Sequence, residues 1–205
     1  LLGAVVGVHG DDAGLIMPPS IAPIQAVVMP VASHLDEAVE PEARQIVQRL
    51  KAAGIRARLD DRDMRPGAKH YDWEIKGVPI RVEIGPRDLS NGTFVSTMRT
   101  GGKESHPLID LEVYVRKGLD DVSAELRSRS SALLESKMRV LDALPDDPKD
   151  LDDGIVYEVA FDGNDADAER LEKSTNLTLL GDDLHPYDEE VPCIATGKMT
   201  TRRHC

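Results

Sequence analysis

Aromatic residues are scarce: two Phe, four Tyr and one Trp in 205 residues. A core made without them must come from Val, Ile, Leu and Ala, and a 40% hydrophobic content supplies it. Cysteine is limited to Cys193 and Cys205. Two thiols cannot form a disulfide framework, and a reducing cytoplasm is the natural setting. No apolar run approaches the roughly 18 residues that span a bilayer. Basic residues are outnumbered 25 to 37, for a net charge of −12. That excludes a chain that coats nucleic acid without selectivity. The apolar opening, Leu1–Val8, lacks a basic flank and a small-residue cleavage site, so it reads as a strand and not a signal peptide. The length admits one large domain or two small ones.

The charge that is present is uneven. Between Arg56 and Lys103 there are ten Lys/Arg against seven Asp/Glu, a local +3; the remainder holds fifteen against thirty, or −15. A basic island on an acidic chain suits one defined polyanion site with a repelling surround. The acidic residues cluster at Asp146-Asp147, Asp152-Asp153, Asp182-Asp183 and Asp188-Glu189-Glu190. Such a surface is expected of a protein solvated at high salt, as in halophilic archaea, and is also found on ordinary acidic cytosolic proteins. High salt weakens phosphate contacts, so a binder working there must lean on base edges and stacking.

Hydrophobic periodicity then orders the chain. Residues 10–23, with Gly10, Gly14, Pro18, Pro19 and Pro23, form a connector. Ile24–Val31 is an apolar, β-branched run that fits a buried parallel strand. Asp36–Ala53 presents Ala43, Ile46, Val47 and Leu50 on one helix face and stops at Gly54. Ile55–Leu59 alternates as a strand. Pro66-Gly67 opens a helix that runs to Lys76 and closes at Gly77. Val78–Ile84 alternates again, with Arg81 and Glu83 opposite Ile80, Val82 and Ile84. Turns at 85–88 and 91–92 precede a strand at Thr93–Arg99. The order implies an α/β (α+β) domain in which helices cover a mixed sheet. Residues 119–142 read as a long amphipathic helix, Asp146–Asp153 as a linker, and Ile155–Phe161 as a strand opening a small α+β module. The expected division is 1–23, 24–118, 119–150 and 151–205.

The most informative stretch is Asp60-Asp61-Arg62-Asp63-Met64-Arg65-Pro66-Gly67-Ala68-Lys69. It is followed by Trp73-Glu74-Ile75-Lys76-Gly77-Val78-Pro79-Ile80-Arg81-Val82-Glu83-Ile84-Gly85-Pro86-Arg87-Asp88. This resembles the anticodon-binding domain of class II prolyl-tRNA synthetases of the archaeal/eukaryotic type. His9-Gly10-Asp11-Asp12 and Gly14-Leu15-Ile16-Met17-Pro18-Pro19 look like the exit of the third class II motif. The resemblance implies a ligase that attaches proline to tRNA-Pro with ATP and Mg²⁺, cytoplasmic and homodimeric. It also implies that this chain is the tRNA-binding portion, without the first two class II motifs or any catalytic residue. Such a chain is expected to be inactive alone, monomeric, and a partner to the missing catalytic domain.

A proline anticodon carries two adjacent guanines. Arg or Lys donates to guanine O6 and N7, while a carboxylate accepts from N1–H and N2–H₂. The residues that offer these groups are Arg62, Lys69, Glu74, Lys76, Arg81, Glu83 and Arg87. Trp73 or Tyr71 could stack on an unpaired base. The same residues also suit a solvated sheet face with ion pairs, with Trp73 in the core and Arg62, Asp63 and Arg65 bracing a turn.

In relatives of this type, a four-cysteine zinc site often follows. The resemblance places its ligands at Asp162, Asp167, Cys193 and Thr196. Two carboxylates, one thiolate and a hydroxyl make a poor zinc set, so no structural zinc is expected. Two other readings stay open. One is a free-standing RNA-binding module, against which the Leu1–Val8 strand argues as an unpaired edge. The other is an Asp-dependent metal hydrolase using His9, Asp11, Asp12, Asp60, Asp61 and Asp63; turn and cap chemistry accounts for those residues equally.

Overall fold

A computed structural model describes residues 2–205. The chain opens with helix α1 (Leu2–His9). The strand expected there is therefore corrected, and its first residue, Leu1, lies outside the described residues. A helix satisfies its backbone locally, whereas a strand needs a neighbour, and among the described residues no strand pairs with this segment. Gly10 N–H donates to Val6 O (3.0 Å) and closes its last turn. With a helix there, Leu2–His9 presents no unpaired strand edge.

Strand β1 (Ala26–Pro30) carries Ala26, Val27, Val28 and Met29, all within 1% of full burial, as befits a central strand covered on both faces. Helix α2 (Val39–Ala52) follows and buries Ala43, Ile46, Val47 and Leu50. Strand β2 (Ala57–Leu59), helix α3 (Pro66–Ile75) and strand β3 (Ile80–Ile84) complete two crossovers. Both β2 and β3 lie parallel to β1, one on each side. The first crossover moves one way across the sheet and the second moves back, so right-handed connections put α2 and α3 on opposite faces. The cores agree. Ala26, Val28, Ile80 and Val82 pack with Ile46 and Leu50, whereas Val27 and Met29 pack with Trp73 and Val78.

Where turns were expected at 85–88 and 91–92, the chain forms the short helix α4 (Pro86–Asn91), started by Pro86 and by Asp88 Oδ2, which accepts from Gly85 N–H (2.9 Å). Strand β4 (Thr93–Met98) runs antiparallel to β3, and strand β5 (Lys103–Pro107), absent from the sequence reading, adds an antiparallel edge. The sheet order is β2-β1-β3-β4-β5. Helix α5 (Leu111–Lys137) begins eight residues before the expected start and places Leu111, Val115 and Leu119 in the same core as α2. Gly118 is the reason it fits. A Cβ there would stand 2.9 Å from Ile80 Cδ1, so the missing side chain lets the helix lie close to β3.

The chain divides into two compact units, one ending at Ser130 and the other spanning Ser131–Cys205. In the second, β6 (Met138–Val140) replaces the last turn of the expected helix and pairs parallel with β7 (Val156–Ala160). Helix α6 (Asp165–Thr175) is capped by Asn164, whose Oδ1 accepts from Ala166 N–H (2.9 Å). Strands β8 (Val191–Pro192) and β9 (Met199–Thr200) pair with each other, and β10 (Arg203–His204) borders β7. Val159, Phe161, Leu171 and Cys193 form this unit's core. Among the described residues no helix is long and apolar enough to cross a membrane.

The connector is bound to the first unit. Leu15 N–H donates to Ile75 O (3.1 Å) and Met17 N–H to Gly77 O (3.0 Å). Gly77 sits at φ +68°, and a Cβ would meet Leu15 O at 2.5 Å. Gly77→Ala is therefore expected to cost about 1–3 kcal/mol, read as a lowered urea midpoint with unchanged slope.

Candidate nucleic-acid interface

Residues opposite one another in a ladder share a face. The register therefore aligns Arg58, Val27, Arg81, Thr97 and Lys103 as one row across all five strands. Three cations and a hydroxyl thus stand on the face that α3 covers only in part. The next row carries Met29, Glu83, Val95 and Ser105.

Helix α3 brings its own polar groups to this face. His70, Trp73 and Glu74 are spaced three and four apart, so they share one side of the helix. Trp73 is 5% exposed and packs on Val27, Met29 and Val78. It is not free to stack on a base, and that expectation is corrected; Tyr71, 64% exposed, is the aromatic that solvent reaches. Trp73 Nε1–H donates to Asp60 Oδ2 (2.6 Å). Three cations ring the indole: Arg58, Arg62 and Lys76 lie 5.7, 5.5 and 4.8 Å from its centroid.

Asp60 directly follows β2, with its carboxylate enclosed. Burial alone would raise its pKa, yet bonds from Arg62 and the Trp73 indole, with the nearby Lys69 charge, hold it well below the usual carboxylate range. Arg62 donates Nε–H to Asp60 Oδ1 (2.8 Å) and pairs with Asp72 (2.8 Å). Buried Lys69 donates its ammonium to Asp60 O (3.1 Å). Lys76 pairs with Asp72 (2.9 Å). On β3, Arg81 Nε–H donates to Glu83 Oε1 (2.8 Å), and Lys103 reaches Glu83 Oε2 (3.2 Å). Burial would raise Glu83, but Arg81 and Lys103 lower it overall.

Among the residues expected to face RNA, the structure thus brings Glu74, Arg81 and Glu83 together. Lys76 lies at the indole, Arg62 and Lys69 are engaged around Asp60, and exposed Arg87 stands apart on α4. Two further cations of the basic island hold the connector. Arg56 donates to Ala22 O (2.8 Å) and Pro19 O (2.8 Å), and Arg99 to Leu15 O (3.1 Å) and to Asp11. Asp11 and Asp60 are thereby committed to ion pairs, and among the described residues no three His, Cys, Asp or Glu side chains gather to hold a metal.

A cavity of about 200 Å³ opens between α3 and the β3–β4 pair, lined among others by His70, Glu74, Arg81 and Thr97. Sequence reasoning missed Arg58, His70, Thr97 and Lys103. Alternation along the expected strands would have put Arg58 and Thr97 on the Arg81 face; Lys103 lay beyond any expected strand.

Residues 25–118 match the model of the anticodon binding domain family. This part of the chain belongs to that family. The anticodon-binding domain and its flanks are similar to the proline–tRNA ligase of Methanocorpusculum labreanum (37% identical, covering 96% of this chain and 42% of that protein). The corresponding protein of Thermococcus kodakarensis is 40% identical over 97% of this chain and 41% of its own length. That of Methanosarcina mazei is 36% identical over 98% and 42%. The chain therefore spans about two-fifths of the curated relatives it matches. The sheet, the α3 cover and the cationic row all fall inside the anticodon-binding domain, from β1 through the first turns of α5.

In the second unit, three of the four positions assigned to zinc by resemblance have partners within the protein. Asp162 pairs with Arg202 (3.0 Å), while its N–H donates to Cys193 Sγ (3.3 Å). Asp167 caps α6 by accepting from Asn164 N–H (3.0 Å) and pairs with Arg170. Burial would raise the Cys193 thiol, yet bonds from Thr196 and backbone N–H groups lower it overall. The carboxylates thus already face guanidinium groups, which a divalent cation would have to displace.

Replacing Asp60 leaves the buried Trp73 N–H without an acceptor. Asp60→Ala is expected to cost about 1–3 kcal/mol in chemical denaturation. Because folded Asp60, Asp72 and Glu83 all titrate below their ordinary values, their contribution is full above the unfolded carboxylate range and lost as pH falls through the folded values. Acid titration followed by tryptophan emission should show this loss, and Asp60→Ala should flatten it.

Proposed function

We propose that this chain is the tRNA-binding portion of a proline–tRNA ligase, and that its anticodon-binding domain reads the guanines of a proline anticodon on the face between α3 and β5. The observation that carries the reading is the cross-strand row Arg58–Arg81–Thr97–Lys103 with Glu74 beside it. Arg81 offers guanidinium donors for guanine O6 or N7, and Glu74 a carboxylate for N1–H and N2–H₂. Lys103 and Arg58 at the ends of the row, with Arg87, serve phosphates, and Tyr71 offers an exposed ring. ATP and Mg²⁺ belong to the ligase as a whole; these 205 residues are proposed to hold tRNA and not to activate proline. The acidic clusters outside the site favour a cytoplasm of high salt, where edge contacts outlast phosphate contacts. Arg81→Ala should weaken binding to a proline anticodon stem-loop by about 1–3 kcal/mol and relax the guanine preference. Lys103→Ala should weaken all RNAs alike and reduce the salt slope by about one. Fluorescence anisotropy across a salt series separates the two.

We infer further that the second unit is held without zinc. Arg202 bridges Asp162 (3.0 Å) and Asp182 (3.2 Å), and Asp182 in turn meets His204 (2.9 Å), which stands edge-on to Phe161. These contacts tie Arg202 and His204, at β10, to Asp162 in the loop after β7 and to Asp182. Chelator should leave the melting temperature unchanged and Arg202→Ala should lower it; a drop on chelation alone would contradict the inference.

A further inference from the structure

We propose that the cavity between α3 and the β3–β4 pair admits one extruded guanine, and that His70 and Thr97 are specificity-determining groups inside it. The inference rests on the anticodon reading above and adds two residues to it.

The first observation is a pair of unmet polar atoms. His70 Nε2 and Thr97 Oγ1 are both buried without a hydrogen-bond partner. His70 Nε2 lies 3.0 Å from Glu83 Oε1 but without the alignment of a hydrogen bond. Buried polar groups are paired in most folded proteins, and an unpaired one costs about 1–3 kcal/mol. The two residues that carry these atoms line the same cavity, one from the helix and one from the sheet. Thr97 stands opposite Arg81 on β3, where an apolar β-branched side chain would fill the position without the penalty.

The second observation is the chemistry around them. Glu74 and Arg81 line the same space. Arg99, also at the cavity, is committed to Leu15 O and Glu74 O (3.1 and 3.2 Å) and serves as wall. The Trp73 and Val78 side chains supply an apolar flank. A carboxylate only accepts, and guanine alone among the bases presents two adjacent donors to it, N1–H and N2–H₂. Arginine only donates, and guanine presents O6 and N7. A hydroxyl and a neutral imidazole complete the edge, because each can donate where the other groups leave an acceptor unmet. Burial, followed by the Arg81 charge, pushes His70 down from its ordinary pKa, which keeps the ring neutral at neutral pH. A site that places buried polar groups to meet a ligand's edge rejects a ligand lacking that edge strongly, since the groups are then left unpaired.

The test compares this chain with its Thr97→Val, His70→Ala and His70→Gln variants. Each is titrated into a proline anticodon stem-loop and into the same loop with both guanines replaced by adenines. Thr97→Val keeps the side-chain shape and should lower affinity for the guanine loop about five- to thirtyfold, with little change for the adenine loop. His70→Ala should do the same, and His70→Gln should recover part of the loss. Wild-type affinity and preference in both Thr97→Val and His70→Ala would overturn the inference while leaving the anticodon reading intact on Arg81 and Glu74. A parent chain with no preference between the loops would overturn the reading and this inference together. Thermal melting of each variant keeps folding loss apart from binding loss; should His70→Ala unfold, Thr97→Val decides alone.

Discussion

One enclosed carboxylate sets the geometry of the first unit. Asp60 directly follows β2 and accepts from the Trp73 indole and from Arg62, while its own carbonyl takes the Lys69 ammonium. Three positions of the chain, at the end of β2, in the following loop and on α3, are thereby fixed to one another. The inward side of α3 offers little apolar surface beyond Trp73, so hydrophobic burial alone would hold it weakly. The carboxylate replaces the missing apolar contact with directional bonds. Because direction is specified, α3 takes one rotation, and that rotation sets His70 and Glu74 over β3 and β4. A wholly apolar helix face would have sealed the sheet and removed the cavity.

The same economy governs charge. Five of the ten cations of the basic island are committed to partners within the protein. Arg56 and Arg99 fasten the connector, Arg62 and Lys69 serve Asp60, and Lys76 meets Asp72. What remains is the short row Arg58–Arg81–Lys103, with exposed Arg65 and Arg87 apart from it, and not a basic plate. On a chain of net charge −12, that distribution repels a polyanion everywhere but at one place. Affinity must then come from fitted contacts, which suits a reader of a few bases better than a protein that binds any RNA.

The parallel half of the sheet was legible because its elements carry strong local signals. Ile24–Val31 is too apolar to be anything but buried, and Ala43, Ile46, Val47 and Leu50 repeat at the helical period. The misreadings have local causes as well. An eight-residue apolar run with two glycines suits a strand or a helix equally, and α1 is a helix. Lys103-Glu104-Ser105-His106 shows no apolar alternation because β5 is an edge strand, mostly exposed. The long helix was expected to start at Leu119, whereas Gly118 lies within α5 and marks its close approach to Ile80. In the candidate site, Glu74 and Arg81 were legible from residue type and strand face. Lys69 was not, since its burial follows from the Asp60 carbonyl just past β2. His70 and Thr97 were invisible for the same reason: an unmet hydrogen bond is a property of the packed structure.

The most direct measurement is the affinity of this chain for a proline anticodon stem-loop, with and without its two guanines, at low and at high salt. The account predicts tight binding that requires the guanines, and a preference between the two loops that persists as salt rises, because edge contacts do not depend on counterion release. Equal and weak binding to both loops, collapsing together with salt, would contradict it.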